Sequence, residues 1–543
     1  MSFNKEEFDR KVIPIWDGSK TAASLVENTS SKEACHAILG KRATPRLLAE
    51  LLESRNIGTA VELLNTAKLE QHSEGIITAS RRIIEDGDLP KPVLAMARVA
   101  LSFESDCSKG DLSNHIAELR ANLRINPKNT LAWVDLAREY LIIGLAKPAE
   151  RAMSVALGLA QGHRWVTRVA SRLYVHLDKL EKSYYILSKH PAIKVDPWIA
   201  SAELAVSQIM GKSSRNLGFA KRLLDQGLHP SHTVELASSM GTLELESGAI
   251  KRAKVYIRAS LLYPNRNSLA QAMWAEQAHD IKAASYSIVQ ALESAYEAKA
   301  WESYIRGDIY GAMQNCQLWY ESEPYSSKPP MLATYLSALD DRYDEIITIA
   351  KKGLITNPDN VTLKLNRAYA EIAKLDPTNL VGLDSRKVRS WISLFQEAMK
   401  RDRYHVAHAL ANMGMLCYRV GEHEKGKEYY ERAERHCIEL GYDTQIMCNV
   451  YHAREALIAS TDWASSTLEK ARAISSKSAD PSKPAADYYL DKLKRLQQDT
   501  ANYRAIFKIE SSAIESQGHW QGRLDFGNAI NSGLSFFLPD DFK

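Results

Sequence analysis

Two consecutive stretches of this chain, ESAYEAKAWESYIRGDIYGAMQNCQLWYESEP ending at Pro324 and SKPPMLATYLSALDDRYDEIITIAKKGLITNP ending at Pro358, can be laid over one another without a gap. The register then holds residue by residue. Pro324 falls on Pro358, Ala300 on Thr334 and Trp301 on Tyr335, and Tyr335 falls in turn on Tyr369, each time at a spacing of 34 residues. A fixed period of this length constrains the fold more than any other feature, because it requires one supersecondary unit stacked on copies of itself: a helical solenoid. Such an array also escapes the usual relation between length and domain count, so 543 residues can form one continuous stack.

The unit after Asn126-Pro127 carries the most specific signature. Trp133, Leu136, Ala137, Tyr140, Gly144, Ala149, Met153 and Ala156 stand at positions 4, 7, 8, 11, 15, 20, 24 and 27 of the repeat. Small residues at positions 8 and 20 let two antiparallel helices touch, larger ones at 11 and 24 fill the space beside them, and Gly at 15 permits the turn. Later units repeat the set with Gly307, Ala312, Cys316 and Trp319, then with Met413, Gly414, Gly421, Gly426, Tyr430 and Ala433. On these residues the chain resembles the tetratricopeptide repeat family over roughly residues 44 to 475, strongly at 126–160 and 293–475. The resemblance implies an all-α fold, a right-handed superhelical solenoid of antiparallel helix pairs used for protein recognition.

Five regions are expected. Residues 1–43 form an N-terminal arm, in which Phe8, Ile13, Ile15 and Trp16 offer anchors for a docking segment or for a partner-binding peptide. Residues 44–292 hold repeat-like helices, clearest at 126–160, and 293–475 hold the C-terminal array. The insertion LDPTNLVGLD separates the two helices of one late pair and would project as a loop. Residues 476–516 give a linker and an amphipathic capping helix, and 517–543 an irregular tail with aromatic residues.

The resemblance also places a candidate site. In this family the inner groove is lined by first-helix positions 2, 5, 9, 12 and 13. Position 9 here reads Trp301, Tyr335, Tyr369 and Met415, joined at position 12 by Tyr304 and Tyr418. Rigid amphipathic side chains of this kind suit capture of a peptide or helix, and they equally suit packing against neighbouring first helices or the chain's own tail. The clamp that some family members use for a C-terminal carboxylate needs Lys and Asn in the groove. Position 5 is instead Glu297, Met331, Leu365 and Ala411.

The remaining chemistry is sparse. The 70 basic and 66 acidic residues leave a net charge of +4 with no long run of one sign, which weighs against nucleic acid as a direct ligand. MSFNKEEFDRKVIPIWDGSK lacks the apolar region of a signal peptide, and no window approaches a membrane span, so a cytoplasmic location is expected. The six cysteines contain no CxxC pair, and His405, His408, Cys417, His436 and Cys437 have no four-ligand spacing; no metal or other cofactor is expected. GxxxxGK[ST], HExxH and GxSxG are absent, and Asp340-Asp341 reads as solvated charge in a turn, so no enzyme is expected. The expected function is a scaffold or adaptor that binds a partner protein or peptide along the groove, with homo-oligomerisation open. A regulatory or sensor subunit of a complex whose nuclease, protease or transcription factor is a separate chain is the alternative, and an RNA-binding helical repeat the second. The aromatic ladder and the 34-residue period argue against the last, because the RNA-binding arrays use a 35-residue period with polar base-reading positions.

Overall fold

The computed structural model describes residues 9–16, 43–54, 56–70, 73–86, 93, 94, 97, 109–375, 385–440, 445–478 and 482–507. Phe8, Cys35, Cys107, most of the LDPTNLVGLD insertion and the tail 517–543 lie outside them. Every regular element among the described residues is a helix. The chain divides into two compact units, residues 15–186, and residues 1–14 with 187–543.

The first unit contains Ala43–Ser54 (α1), Ile57–Glu70 (α2), Ser73–Asp86 (α3), Lys109–Ile125 (α4), Thr130–Ile142 (α5), Ala146–Leu159 (α6), Arg164–His176 (α7) and most of Leu180–Ser188 (α8). The α5–α6 pair shows why the sequence folds this way. Asn129 caps α5 by accepting from the backbone N–H of Ala132 at 3.1 Å, the role that a short polar side chain plays at a helix start. Gly144 then turns the chain with φ 78°, a left-handed conformation that side chains with a Cβ resist. Ala137 and Ala149 are fully buried where the two helices meet, with Met153 and Ala156 beside them.

The second unit continues the same scheme. Its helices are Pro197–Ile209 (α9), Leu217–Asp225 (α10), Pro230–Glu246 (α11), Ile250–Ser260 (α12), Arg266–His279 (α13), Tyr286–Ala291 (α14), Tyr296–Ile305 (α15) and Ile309–Ser322 (α16). Lys328–Leu339 (α17), Tyr343–Thr356 (α18), Val361–Ala373 (α19), Ser385–Arg401 (α20), Tyr404–Arg419 (α21), His423–Leu440 (α22), Gln445–Ile458 (α23), Ala464–Lys477 (α24) and Lys483–Phe507 (α25) complete it. The odd-numbered helices from α9 to α23 are the first helices of their pairs. The sequence step at 292/293 lies inside this unit, where α13 packs directly against α15. Residues 265–292, whose sequence carries no clean repeat signature, form the full-length first helix α13 and only a short α14.

The turn between paired helices recurs with positive φ at Gly211, Gly248, Gly307 and Gly421. Asp341 and Ser460 take the same conformation with φ 55°. Asp341 stands 34 residues after Gly307, at the position where the repeat has Gly. In the α21–α22 pair both close-approach positions are Gly. A Cβ built on Gly414 would lie 2.8 Å from the Tyr430 ring, and one on Gly426 2.6 Å from the Tyr418 ring. Here the absence of side chains lets aromatic rings lie flat in the helix seam.

Candidate functional site

All six ladder residues lie in the interior of the second unit. Trp301, Tyr304, Tyr335, Tyr369, Met415 and Tyr418 are each no more than 4% exposed. They fall into three neighbourhoods. Trp301 and Tyr335 both lie edge-on to Tyr304, with ring centroids 6.0 and 6.2 Å away, and the Tyr304 and Tyr335 hydroxyls are 3.4 Å apart. Tyr369 and Met415 meet at Arg454 of α23. Its guanidinium donates to the Tyr369 hydroxyl and to Met415 Sδ, and lies over the Tyr369 and Tyr451 rings at 5.2 and 5.3 Å. Tyr418 accepts a hydrogen bond from Trp463 Nε1 at 2.9 Å, and its oxygen lies 3.0 Å from His452 Nε2.

Arg454 was not legible in the sequence. It is 2% exposed, and a guanidinium that deep must be paired, because an isolated buried charge is prohibitively costly. Glu455 supplies the charge, bonding Arg454 through both Nε and Nη2 while also accepting from Arg419 Nη2 at 3.2 Å. The rings that surround Arg454 add cation–π attraction in a desolvated setting. Burial pushes the Tyr369, Tyr451 and Tyr489 hydroxyls upward in pKa, so they act here as neutral groups.

Helix α25 closes this region by packing on α15, α17 and α23. Tyr489 donates to Asp341 Oδ1 at 2.6 Å, Tyr488 donates to Asp340 Oδ1 at 3.1 Å, and Lys492 Nζ pairs with Asp341 Oδ2 at 2.6 Å. Tyr343 donates to Asp341 Oδ1 as well, at 2.8 Å. The Asp340-Asp341 turn is therefore present as expected, but Asp341 is the anchor of the capping helix and not a solvated charge. Burial alone would raise the pKa of its carboxyl; the Arg454 charge, Lys492 and Tyr489 outweigh that and hold it below the usual carboxylate range.

The N-terminal arm crosses the first-helix face of the same unit. Residues 9–14 have no regular secondary structure and touch α11, α13, α15 and α17 in turn. Side chains of the helices hold its main chain: Lys328 Nζ donates to the Asp9 carbonyl at 2.8 Å, Gln271 Nε2 to that of Arg10 at 2.8 Å, and Asn267 Nδ2 to that of Ile13 at 2.9 Å. Arg10 itself enters a polar socket. Its Nη1 donates to Gln271 Oε1 at 2.9 Å, its Nη2 to Asn267 Oδ1 at 2.8 Å, and its Nε and Nη2 grip both Glu297 oxygens at 2.8 and 3.0 Å. Lys11 pairs with Glu246 and lies over the Trp274 ring. Glu297 is one of the groove positions named from the sequence, whereas Asn267 and Gln271 sit in the stretch whose repeat signature is degenerate.

Among the described residues, no group of three or more His, Cys, Asp or Glu side chains is arranged to hold a metal ion, and no helix is long and apolar enough to cross a membrane. His408 is buried, and desolvation pushes its pKa well down. Cys316 and Cys417 are buried thiols raised by desolvation, Cys417 to about 12.

Within each unit the paired helices, the glycine turns and the buried small residues make an all-α helical-repeat fold similar to stacked tetratricopeptide repeats. No protein-family model matches the chain, and neither does any curated protein sequence. Among solved structures, yeast Tom70 is similar over 84% of this chain and 99% of its own, at 14% identity and a TM-score of 0.28. A structure of Naa15/Naa10 bound to HypK-THB is similar over 90% and 76% at 15% identity and 0.25, and the TPR domain of P58(IPK) over 72% and 95% at 14% identity and 0.20.

Proposed function

We propose that this chain is a non-enzymatic scaffold or adaptor in the cytoplasm, holding a partner protein along the first-helix face of its second unit, with assembly or activity of that partner as the output. The observation that carries the reading is the seating of residues 9–14. A face that already binds an extended segment through three side-chain donors to its main chain has the chemistry needed to hold a peptide. In this reading the buried residues Trp301, Tyr304, Tyr335, Tyr369, Met415 and Tyr418 support that face from within the unit, and α25 packs on α15, α17 and α23.

The test is affinity purification of the full chain followed by cross-linking and mass spectrometry. The reading expects a stoichiometric protein whose cross-links map to the first helices between α11 and α21. Recovery of no stoichiometric protein, or cross-links confined to the second helices α12 to α22, would overturn it.

A further inference from the structure

The seated arm makes the face specific as well as receptive. The contacts from Lys328, Gln271 and Asn267 go to carbonyl groups and would hold any extended segment, but the Arg10 socket reads one side chain. Asn267 and Gln271 are each 1% exposed, and both turn an oxygen to the guanidinium while their amide nitrogens go to the arm's own carbonyls. Gln271 Nε2 is shared with Thr242 Oγ1 at 2.8 Å, which fixes the amide's orientation. Glu297 meets the planar fork with both oxygens, a geometry that a lysine ammonium cannot reproduce. Val12 is fully buried next in the arm, and Glu246 takes the positive charge of Lys11.

We propose that this socket is the recognition site for an extended segment of a partner protein bearing Arg-Lys followed by β-branched residues, and that residues 9–14 are its resident competitor. The inference rests on the scaffold reading and names the ligand chemistry of that same face. In the free chain Arg10 fills the socket. A partner segment of the same pattern displaces it, so the affinity for partner is reduced by the fraction of chains whose own arm is seated.

The experiment uses the full-length chain and a fluorescein-labelled peptide with the sequence of residues 5–17, read by anisotropy. Arg10→Ala removes the arm's hold on the socket, and Arg10→Lys, which keeps the charge but not the fork, serves as a second variant; circular dichroism checks both. The Arg10→Ala chain is expected to bind the probe at least about tenfold more tightly than the wild-type chain, as befits loss of several charge-assisted hydrogen bonds. A probe with Ala in place of its Arg should bind that chain at least about tenfold more weakly, and adding Glu297→Gln to the chain should give a comparable loss. Absence of probe binding to both folded variants, equal affinity of the two probes, or equal affinity of wild-type and Arg10→Ala chains overturns the proposal. A wild-type dimer in sedimentation that Arg10→Ala converts to monomer overturns it too, because the arm would then serve a second copy. A partner that cross-links to first helices outside α11–α17 would leave the scaffold reading standing while removing this one.

Discussion

Asp341 offers the sharpest separation of two opposed effects at one residue. Asp341→Gly restores the residue that the turn prefers, and relief of the left-handed backbone at φ 55° is worth about 1 kcal/mol in favour of the variant. Against it stands the loss of the carboxylate that accepts from Tyr489 and Tyr343 and pairs with Lys492. Tyr489 is 1% exposed, so its hydroxyl hydrogen would lose its acceptor in a place water reaches poorly, a cost of about 1–3 kcal/mol. Hydrogen bonds to a charged group contribute about 1.5–3 kcal/mol each, discounted here because the Asp341 side chain keeps 30% of its exposure. The net expectation is about 2–3 kcal/mol of destabilisation, concentrated in the attachment of α25. Urea unfolding at pH 7 measures the total, and hydrogen exchange over 483–497 locates it.

The pH dependence follows from the same group. Its folded pKa lies below the unfolded value, so the carboxylate's contribution is complete above the ordinary carboxylate range near about 4 and is lost as pH falls below it. The gap between wild type and variant should therefore be constant from neutral pH down to about 5 and narrow towards pH 3. A variant at least as stable as wild type at pH 7, with unchanged exchange in α25, would refute the reasoning: backbone relief would then dominate and the Asp341 contacts would be incidental.

Other perturbations probe the interior directly. Changing Trp301, Tyr335 and Tyr369 together to Ala removes three buried aromatics at about 3–5 kcal/mol each, enough to exhaust ordinary domain stability, so the helical circular dichroism of the second unit should collapse while Tyr335→Phe retains it. Gly426→Ala should cost about 1–2 kcal/mol in urea unfolding, because its Cβ would meet the Tyr418 ring at 2.6 Å, whereas Gly158→Ala, with open space around it, should be neutral or gain up to about 1 kcal/mol. His452 is held neutral, its pKa pushed down to about 4 first by burial and then by the Lys470 charge. As pH falls from about 6.5 the unfolded chain takes up a proton that the folded chain refuses, so stability drops through that window; His452→Gln should lose about 2 kcal/mol less than wild type between pH 7 and pH 5.

Much of the architecture is written locally. The buried Ala137 and Ala149, Gly144 in the turn and Asn129 at the cap all act within one pair of helices, so spacing alone exposes them. Asp341 reads in the sequence only as solvated charge in a turn, because its partners Tyr489 and Lys492 lie far along the chain and no period connects them. Arg454 looks like any solvated helix residue until the rings of Tyr369 and Tyr451 close over it. The same holds for Arg10, whose socket is more than 250 residues away and takes Asn267 and Gln271 from the helix with the weakest repeat signature and Glu297 from the next first helix. Periodicity reports what a helix does with its immediate neighbour. It carries no information about which distant segment of the chain lies across the assembled face.

Zero-length carbodiimide cross-linking of the full-length chain, mapped by mass spectrometry, tests that arrangement most directly. It joins only amines and carboxylates already in contact, and Lys11 with Glu246 is such a pair between the arm and α11. Lys492 with Asp341, 2.6 Å apart, is the internal reference for the capping helix. A Lys11–Glu246 isopeptide formed within one chain, confirmed with mixed isotope-labelled protein and lost in Arg10→Ala, is the result expected of a face that holds its own arm. Recovery of the Lys492–Asp341 product without any Lys11–Glu246 product would contradict it.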